Sequence, residues 1–273
     1  MTRIELAEHG IVGIRANNPS PFSLSGTNSW VVGREPGWLV DPGPALAEHL
    51  AAVADELERR GGLGAILLTH DHLDHSEAVP GLRVRFPDAP LAAARGAVDV
   101  RLRDGDQLGP LRAVATPGHA PDHLAFVTGR AALTGDAVLG EGSVFIAPDP
   151  GALSGYLGAL SRLRRLDLAV LCPGHGPVVT DPAAKLDEYV AHRLDRERRL
   201  LAALRAGRRG VDELLDEAWS DVPAALRPAA AVTLAAHLDK LEEEGGLPAG
   251  VQRPGGWEEL LRAAGGAGDS AAG

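Results

Sequence analysis

Thr69-His-Asp-His-Leu-Asp-His75 places four side chains able to hold a metal ion, His70, His72, Asp74 and His75, within six consecutive positions. It follows Gly64-Ala-Ile-Leu-Leu68, a continuous apolar run of the kind expected of a strand buried on both faces. A loop at a strand end presents its side chains to a cleft while the strand fixes where they start. Imidazole and carboxylate suit zinc and related divalent ions, and one ion takes three or four ligands. The loop does not complete such a site alone, and its residues point in different directions. Three further candidates sit at matching places: His119 ends Thr116-Pro-Gly-His119, Asp136 ends Leu133-Thr-Gly-Asp136 and His175 ends Cys172-Pro-Gly-His175. Each follows an apolar run, and each is preceded by a glycine that permits a tight turn and a close approach of backbone to an ion. Strand ends that each deliver one ligand-type residue form the pattern of a convergent metal site.

Outward from this stretch the chain alternates strands and helices. Ser29-Trp-Val-Val-Gly33 and Gly37-Trp-Leu-Val-Asp41 read as a hairpin. Residues 44–60 read as a helix with Leu46, Leu50, Val53 and Leu57 on one face and Gly61 as its stop. Residues 111–116, 124–127, 131–134 and 168–172 are expected strands, and 151–166 an expected helix. After about Asp181 the character changes to charged helical patterns over 182–206, 211–218, 226–245 and 257–264. The helix ending at Glu242-Glu-Glu-Gly-Gly246, followed by glycine-rich turns, is compatible with a winged helix-turn-helix. The expected division is an α/β catalytic domain over 1–183, a small helical domain over 184–264 and a disordered tail over 265–273.

A chain of 273 residues with 45% hydrophobic side chains can bury a sizeable core. It has no apolar run long enough to cross a bilayer, and Met1-Thr-Arg-Ile-Glu5 lacks a secretory-type segment. The expected compartment is the cytoplasm, with no membrane partner. The single cysteine, Cys172, reads as a buried strand thiol in a reducing compartment. A formal net charge of -10 argues against broad, non-specific nucleic-acid binding but leaves room for a local basic groove. Arg193, Arg196, Arg198, Arg199, Arg205, Arg208 and Arg209 crowd between His192 and Gly210. They read either as a phosphate-binding strip, with Arg196, Arg198 and Arg199 as contacts, or as a solvated helix face paired with Asp195 and Glu197. His9, His49, His192 and His237 lack a ligand context and read as surface or helix positions. His123 reads as a structural or surface residue, with support of the metal site as the alternative. Leu214, Leu215, Leu234, Leu238 and Leu241 form an apolar face, mostly core, with a homodimer contact as the alternative.

The motif His-x-His-x-Asp-His, followed by His119, Asp136 and His175, resembles the metallo-β-lactamase superfamily from about residue 17 to 176. Thr27-Asn28 and Asp41-Pro-Gly43 also match. Asn18-Pro-Ser-Pro-Phe-Ser-Leu-Ser-Gly-Thr-Asn28, Thr134-Gly-Asp-Ala-Val-Leu-Gly-Glu-Gly142, Pro173-Gly-His-Gly-Pro177 and the run 185–199, with Tyr189 and His192-Arg193, look like the β-lactamase-like protein 2 group. The resemblance implies a four-layer αββα sandwich with a C-terminal winged-helix-like domain. It implies two zinc ions, with iron or manganese as alternatives: His70, His72 and His119 on one, Asp74, His75 and His175 on the other, and Asp136 bridging. A water shared by the ions is then the nucleophile, Asp74 orients it, and Asp41 supports the metal loop. Asp71, where relatives usually carry an aromatic, and Glu77-Ala78, where they often carry Gly-Gly, change the pocket rim.

Zinc β-lactamases of the related type generally lack an aspartate at the position of Asp136, so the resemblance points to the glyoxalase-II-like and nuclease-like branches. The first reading is hydrolysis of a small-molecule thioester or ester, similar to hydroxyacylglutathione hydrolase or an acyl-carrier thioesterase. The second is cleavage of single-stranded RNA. A β-lactamase and a non-catalytic binding module are the weaker readings. A long open groove from the metals to the arginines favours RNA, and a short closed pocket favours the small ester or thioester.

Overall fold

The structure, a computed structural model, describes residues 1–255. The chain begins with β1 (Thr2–Leu6), β2 (Ile11–Arg15), β3 (Asn28–Val32) and β4 (Gly37–Val40), then α1 (Ala47–Arg59) and β5 (Leu63–Leu67). Two short helices, α2 (Leu73–Ser76) and α3 (Val79–Arg85), precede the short strands β6 (Leu91–Ala93), β7 (Val100–Arg101) and β8 (Gln107–Leu108). β9 (Leu111–Ala115), β10 (Leu124–Thr128), β11 (Ala131–Gly135), α4 (Ala152–Arg164) and β12 (Val170–Pro173) complete the α/β part. The helices α5 (Pro182–Arg205), α6 (Val211–Ala218) and α7 (Arg227–Glu243) follow.

Strands β1 to β7 form one sheet in sequence order, and β8 to β12 form a second in the order β12-β11-β10-β9-β8. The first is antiparallel through β4 and parallel from there to β7. The second is antiparallel except for its parallel β11–β12 pair. Successive strand residues point to opposite faces, and here both faces are apolar. Trp30, Val40 and Leu67 of the first sheet meet Phe126, Leu133 and Cys172 of the second. On the outside, Val31, Leu39 and Ile66 pack against Val53, Leu57 and Leu82 of α1 and α3. Val114, Ala132 and Leu171 pack against Leu153, Tyr156 and Leu160 of α4. The result is the expected αββα order of layers. Each fully buried large apolar side chain contributes about 1.5–3 kcal/mol.

The expected strands and helices recur with shifted ends. The helix expected from residue 44 starts at Ala47, because Gly43 is docked on the metal loop: its N–H donates to the His75 carbonyl and its carbonyl accepts from Ala78. The β1–β2 hairpin, α2, α3 and β6 to β8 were not among the expected elements. Strands of two or three residues are set by pairing with neighbours rather than by a local pattern.

The boundary expected at 183–184 falls at the start of α5, where Asp181 caps the helix by accepting from the Ala184 N–H at 3.0 Å. This helix serves two cores. Leu186 and Tyr189 pack with the second sheet, while Leu200 and Leu204 pack with α6 and α7. Leu214, Leu215, Leu234, Leu238 and Leu241 are all buried in that second cluster, so they are core of the chain itself rather than a homodimer face. The helix expected over 257–264 and the tail over 265–273 lie outside the described residues. Among the described residues no helix is long and apolar enough to cross a membrane.

Phe126 is fully enclosed between the sheets and Val84 is 85% exposed. Phe126→Ala is expected to lower unfolding free energy by about 3–5 kcal/mol, and Val84→Ala to stay within about 0.5 kcal/mol. Urea denaturation midpoints at constant m-value check both.

Candidate metal centre

The candidate ligands leave the ends of strands that share one edge of the sandwich. β5 leads into His70, His72, Asp74 and His75, the turn after β9 carries His119, β11 leads into Asp136, and β12 into His175. The two sheets are tied at this edge. Trp30 Nε1 and Asn28 Nδ2 each donate to the Pro173 carbonyl at 3.0 Å, and the Asn28 N–H donates to the Gly174 carbonyl at 2.7 Å. Glycine is required at two of the turns. A Cβ on Gly174 would lie 2.5 Å from Asp136 Oδ1, and one on Gly135 would lie 2.4 Å from Thr69 Oγ1.

All seven residues converge. Three overlapping groups have ligand atoms within 4.8 Å of one another: His70, His72 and His119; His70, His75 and Asp136; and Asp74, His75 and His175. His72 Nδ1 faces His119 Nε2 at 3.1 Å, and His75 Nε2 faces His175 Nε2 at 3.2 Å. Asp136 lies between the groups, with Oδ2 at 3.6 Å from His119 Nε2 and at 3.4 Å from His175 Nε2.

Hydrogen bonding fixes which ring nitrogens carry lone pairs. The Thr69 hydroxyl donates to Asp41 Oδ2 at 2.8 Å, so its oxygen accepts from His70 Nδ1 at 2.9 Å. His75 Nδ1 donates to the same Asp41 oxygen at 3.0 Å. His119 Nδ1 donates to the Phe145 carbonyl at 3.3 Å, and His175 Nδ1 to the Gly26 carbonyl at 3.5 Å. With the proton on Nδ1, each of these four rings turns an Nε2 lone pair inward. His70 Nε2 and Asp136 Oδ1 are buried without a hydrogen-bond partner, with His75 Nε2 3.5 Å from that oxygen. Converging lone pairs and carboxylate oxygens repel one another unless a proton or a metal cation lies among them. The residues present therefore fit a divalent metal, and their nitrogen and oxygen chemistry fits zinc, iron or manganese.

The titration behaviour has the same cause. Burial pushes His119 down to about 3 and His70 well below its ordinary value, with neighbouring imidazoles adding to both. Burial acts the same way on His175, but Asp136 and Asp74 outweigh it and raise it to about 9. His75 is likewise raised by Asp74, Asp136 and Asp41 against its burial. Burial would raise Asp74, yet His75 and His175 bring it down to about 2. Without a cation, protons on His75 and His175 balance the carboxylates, and a metal ion replaces them.

Asp41 supports the metal loop. Besides the bonds on Oδ2, its Oδ1 accepts the Thr69 N–H at 2.8 Å. It holds a left-handed backbone, φ +52°, which aspartate and asparagine tolerate better than other non-glycine residues. His123 is buried beneath the cluster rather than at the surface. Its Nδ1 donates to Thr116 Oγ1 at 2.7 Å and its Nε2 accepts the Asp136 N–H at 3.1 Å, so it holds Asp136 in place and has no nitrogen left for a metal. His49 and His237 are helical, as expected, and fully buried. Two tyrosines that the sequence reading assigned no role also brace this region. Tyr156 donates to the Ala137 carbonyl at 2.7 Å, and the Tyr189 hydroxyl accepts the Leu139 N–H at 3.0 Å.

Of the two readings of the α5 arginines, the face paired with Asp195 fits Arg198 and Arg199, whereas Arg196, the third expected phosphate contact, is buried. Arg193 and Arg196 point inward and are buried, and Asp221 holds Arg196. Arg198 and Arg199 both pair with Asp195. Glu197 is held by Lys240 instead of by an arginine. Helix periodicity splits the cluster between two faces.

These features define a hydrolase-type metal site in an αββα sandwich. Residues 23–100 and 98–175 match the Metallo-beta-lactamase superfamily, and residues 211–246 match the Beta-lactamase associated winged helix domain. The chain belongs to the metallo-beta-lactamase superfamily and is a metal-dependent hydrolase with a C-terminal winged-helix domain. It is 38% identical over 212 residues to an atrochrysone carboxyl ACP thioesterase of Aspergillus chevalieri, covering 72% of this chain and 67% of that one. It is 30% identical over 261 residues to a beta-lactamase-like protein 2 homolog of Caenorhabditis elegans, covering 89% of this chain and 87% of that one. A beta-lactamase domain protein from Burkholderia ambifaria shares the fold with a TM-score of 0.73 at 21% identity, over 89% of this chain and 88% of that one.

Asp41→Asn keeps the shape and the backbone preference but removes the charge. It is expected to weaken divalent-metal binding about 10–100-fold, read by competition with a chromophoric chelator. Wild-type affinity in this variant refutes the supporting role. Because the metal displaces protons from His75 and His175, binding is expected to release protons and to weaken as pH falls below about 9, where His175 takes up its proton. Calorimetry in buffers of different ionisation enthalpy measures that release.

Proposed function

We propose that the chain hydrolyses an acyl thioester or ester with two divalent metal ions, zinc first and iron or manganese as alternatives. The observation that carries this reading is the cleft above the cluster. Its lining includes Asp74, Asp136 and His175 together with Phe22, Leu24, Phe145, Trp219, Val222 and Leu226. Apolar walls receive an acyl group and exclude water. An RNA backbone needs a row of free cations instead; of the α5 arginines Arg193 and Arg196 line the cleft, and Asp221 holds Arg196, which leaves a single free charge rather than a row. The relative that is an ACP thioesterase supports the same reading.

In this proposal His70, His72 and His119 would hold one ion and Asp74, His75 and His175 the other, with Asp136 within reach of both groups. Bound there, the pair supplies Lewis acidity and lowers the pKa of water toward neutrality. Of the two carboxylates of the cluster that line the cleft, Asp74 is the more open, its side chain 26% exposed against 10% for Asp136. Thr27 Oγ1 donates to its Oδ2 at 3.3 Å, and His175 Nε2 lies 3.2 Å from the same oxygen. Oδ1 is then the atom that takes a proton from the attacking water. A C–O bond forms, the C–S or C–O bond of the substrate breaks, and the proton passes from Asp74 to the departing thiol or alcohol.

The test is a parallel assay of metal-loaded protein on acyl thioesters, S-lactoylglutathione, a single-stranded RNA and a chromogenic β-lactam. Thioester turnover is expected, and RNA cleavage without thioester turnover overturns the proposal. Asp74→Asn is expected to lower kcat about 10²–10⁴-fold with an unchanged far-UV spectrum. A rate near wild type rules out the proton-transfer role.

A further inference from the structure

Arg193 of α5 is 2% exposed and lines the same cleft as Asp74, Asp136 and His175. Its Nη2 donates to Ser143 Oγ at 3.0 Å and to the Val144 carbonyl, and its guanidinium lies 5.6 Å from the centre of the Tyr156 ring. Its Nε is buried without a partner. All of these neighbours are neutral. Among the described residues no carboxylate comes within ion-pair distance of Arg193. The other buried arginines differ: Asp221 holds Arg196, and Glu56 holds Arg60 at 2.8 Å. A guanidinium does not lose its proton in a protein, and a buried charge is retained where an opposite charge compensates it. That charge has to come from something that enters the cleft.

His192 supplies a second donor beside it and also lines the cleft. Its Nε2 accepts from Arg196 Nε at 3.3 Å, which places the ring proton on Nδ1. That Nδ1–H has only a long contact, 3.5 Å, to Ser143 Oγ.

We propose that Arg193, assisted by His192, receives an oxyanion of the substrate. This rests on the carbonyl-hydrolysis reading above. The oxyanion is either a carboxylate on the acyl part or a phosphate on the thiol part. Apolar walls make the ion pair strong by excluding water, and they make a neutral substrate a poor occupant because the guanidinium then stays uncompensated. Arg193 acts here as a specificity-determining residue, distinct from the residues that face the reacting carbonyl.

Three thioesters test it with metal-loaded wild-type protein. Butanoyl-N-acetylcysteamine is neutral, glutaryl-N-acetylcysteamine adds a carboxylate to the acyl part, and butanoyl-4′-phosphopantetheine adds a phosphate to the thiol part. One of the two anionic substrates is expected to exceed the neutral one at least about ten-fold in kcat/KM, mainly through KM, and which one does so identifies the source. Equal values for all three overturn the proposal. Arg193→Gln is expected to bring the anionic-to-neutral ratio close to one, and Arg193→Lys to restore part of it. A structural role alone lowers both substrates alike and leaves the ratio intact, and that outcome also overturns the proposal.

Calorimetric titration of wild-type protein with unreactive ligands reads the site without turnover. Glutaramate is set against butanamide, and pantetheine 4′-phosphate against pantetheine. Tighter binding of one anionic member is expected, and equal binding in both pairs overturns the proposal. Anion binding in a protein that turns over no thioester would instead refute the hydrolysis reading alone.

Discussion

The carboxylate of Asp41 is the fixed point on which the candidate metal centre depends. From the end of β4 it accepts the Thr69 N–H, the Thr69 hydroxyl and His75 Nδ1. The Thr69 oxygen, its proton committed to Asp41, is then an acceptor for His70 Nδ1. One buried carboxylate thereby sets the tautomer of two rings of the cluster. Its left-handed backbone turns the chain from β4 into Pro42-Gly43-Pro44, and Gly43 clasps the metal loop through the His75 carbonyl and the Ala78 N–H. The parallel pairing of β4 with β5 makes this geometry possible, because it brings the ends of both strands to the same edge.

Much of this was legible in the sequence, for a physical reason. An ion ligand at a strand end needs an apolar run before it and freedom of the backbone beside it, and both leave local marks: Leu133-Thr-Gly before Asp136 and Cys172-Pro-Gly before His175. The role of His123 left no such mark. It has the same residue type as the ligands and lies four positions from His119, and only the tertiary placement of Thr116 and Asp136 commits both its nitrogens. The short strands β6 to β8 were illegible for a related reason, since they exist through pairing and carry too few residues for a period.

The arginines of α5 show how density misleads where phase does not. Counted along the chain, they form a basic cluster. Traced at helical spacing, Leu186, Tyr189, Arg193, Arg196, Leu200 and Leu204 recur every three or four residues and form one buried stripe. Two of the most basic positions thus fall where the helix requires core. Arg196 meets that requirement with Asp221 and the Ala218 carbonyl, and its charge lies over the Trp219 ring at 5.7 Å. Arg193 meets it with neutral groups only.

That stripe also joins the two parts of the chain mechanically. Arg193 holds Ser143 and Val144 from α5, and the Ile146 N–H donates to Thr233 Oγ1 of α7 at 3.4 Å. Phe145 lies between these anchors. Its carbonyl accepts from His119 Nδ1, and its ring packs against the His119 ring at 4.7 Å and edge-on to Phe22 at 6.3 Å. The segment that lines the cleft is therefore the segment that orients a candidate ligand, and both of its anchors belong to the C-terminal helices. Removing those helices would open the cleft, and it would also free the Phe145 carbonyl that decides which nitrogen of His119 faces inward. The helical part thus holds, through Ser143, Val144 and Ile146, the carbonyl that His119 Nδ1 faces, besides forming a wall of the cleft.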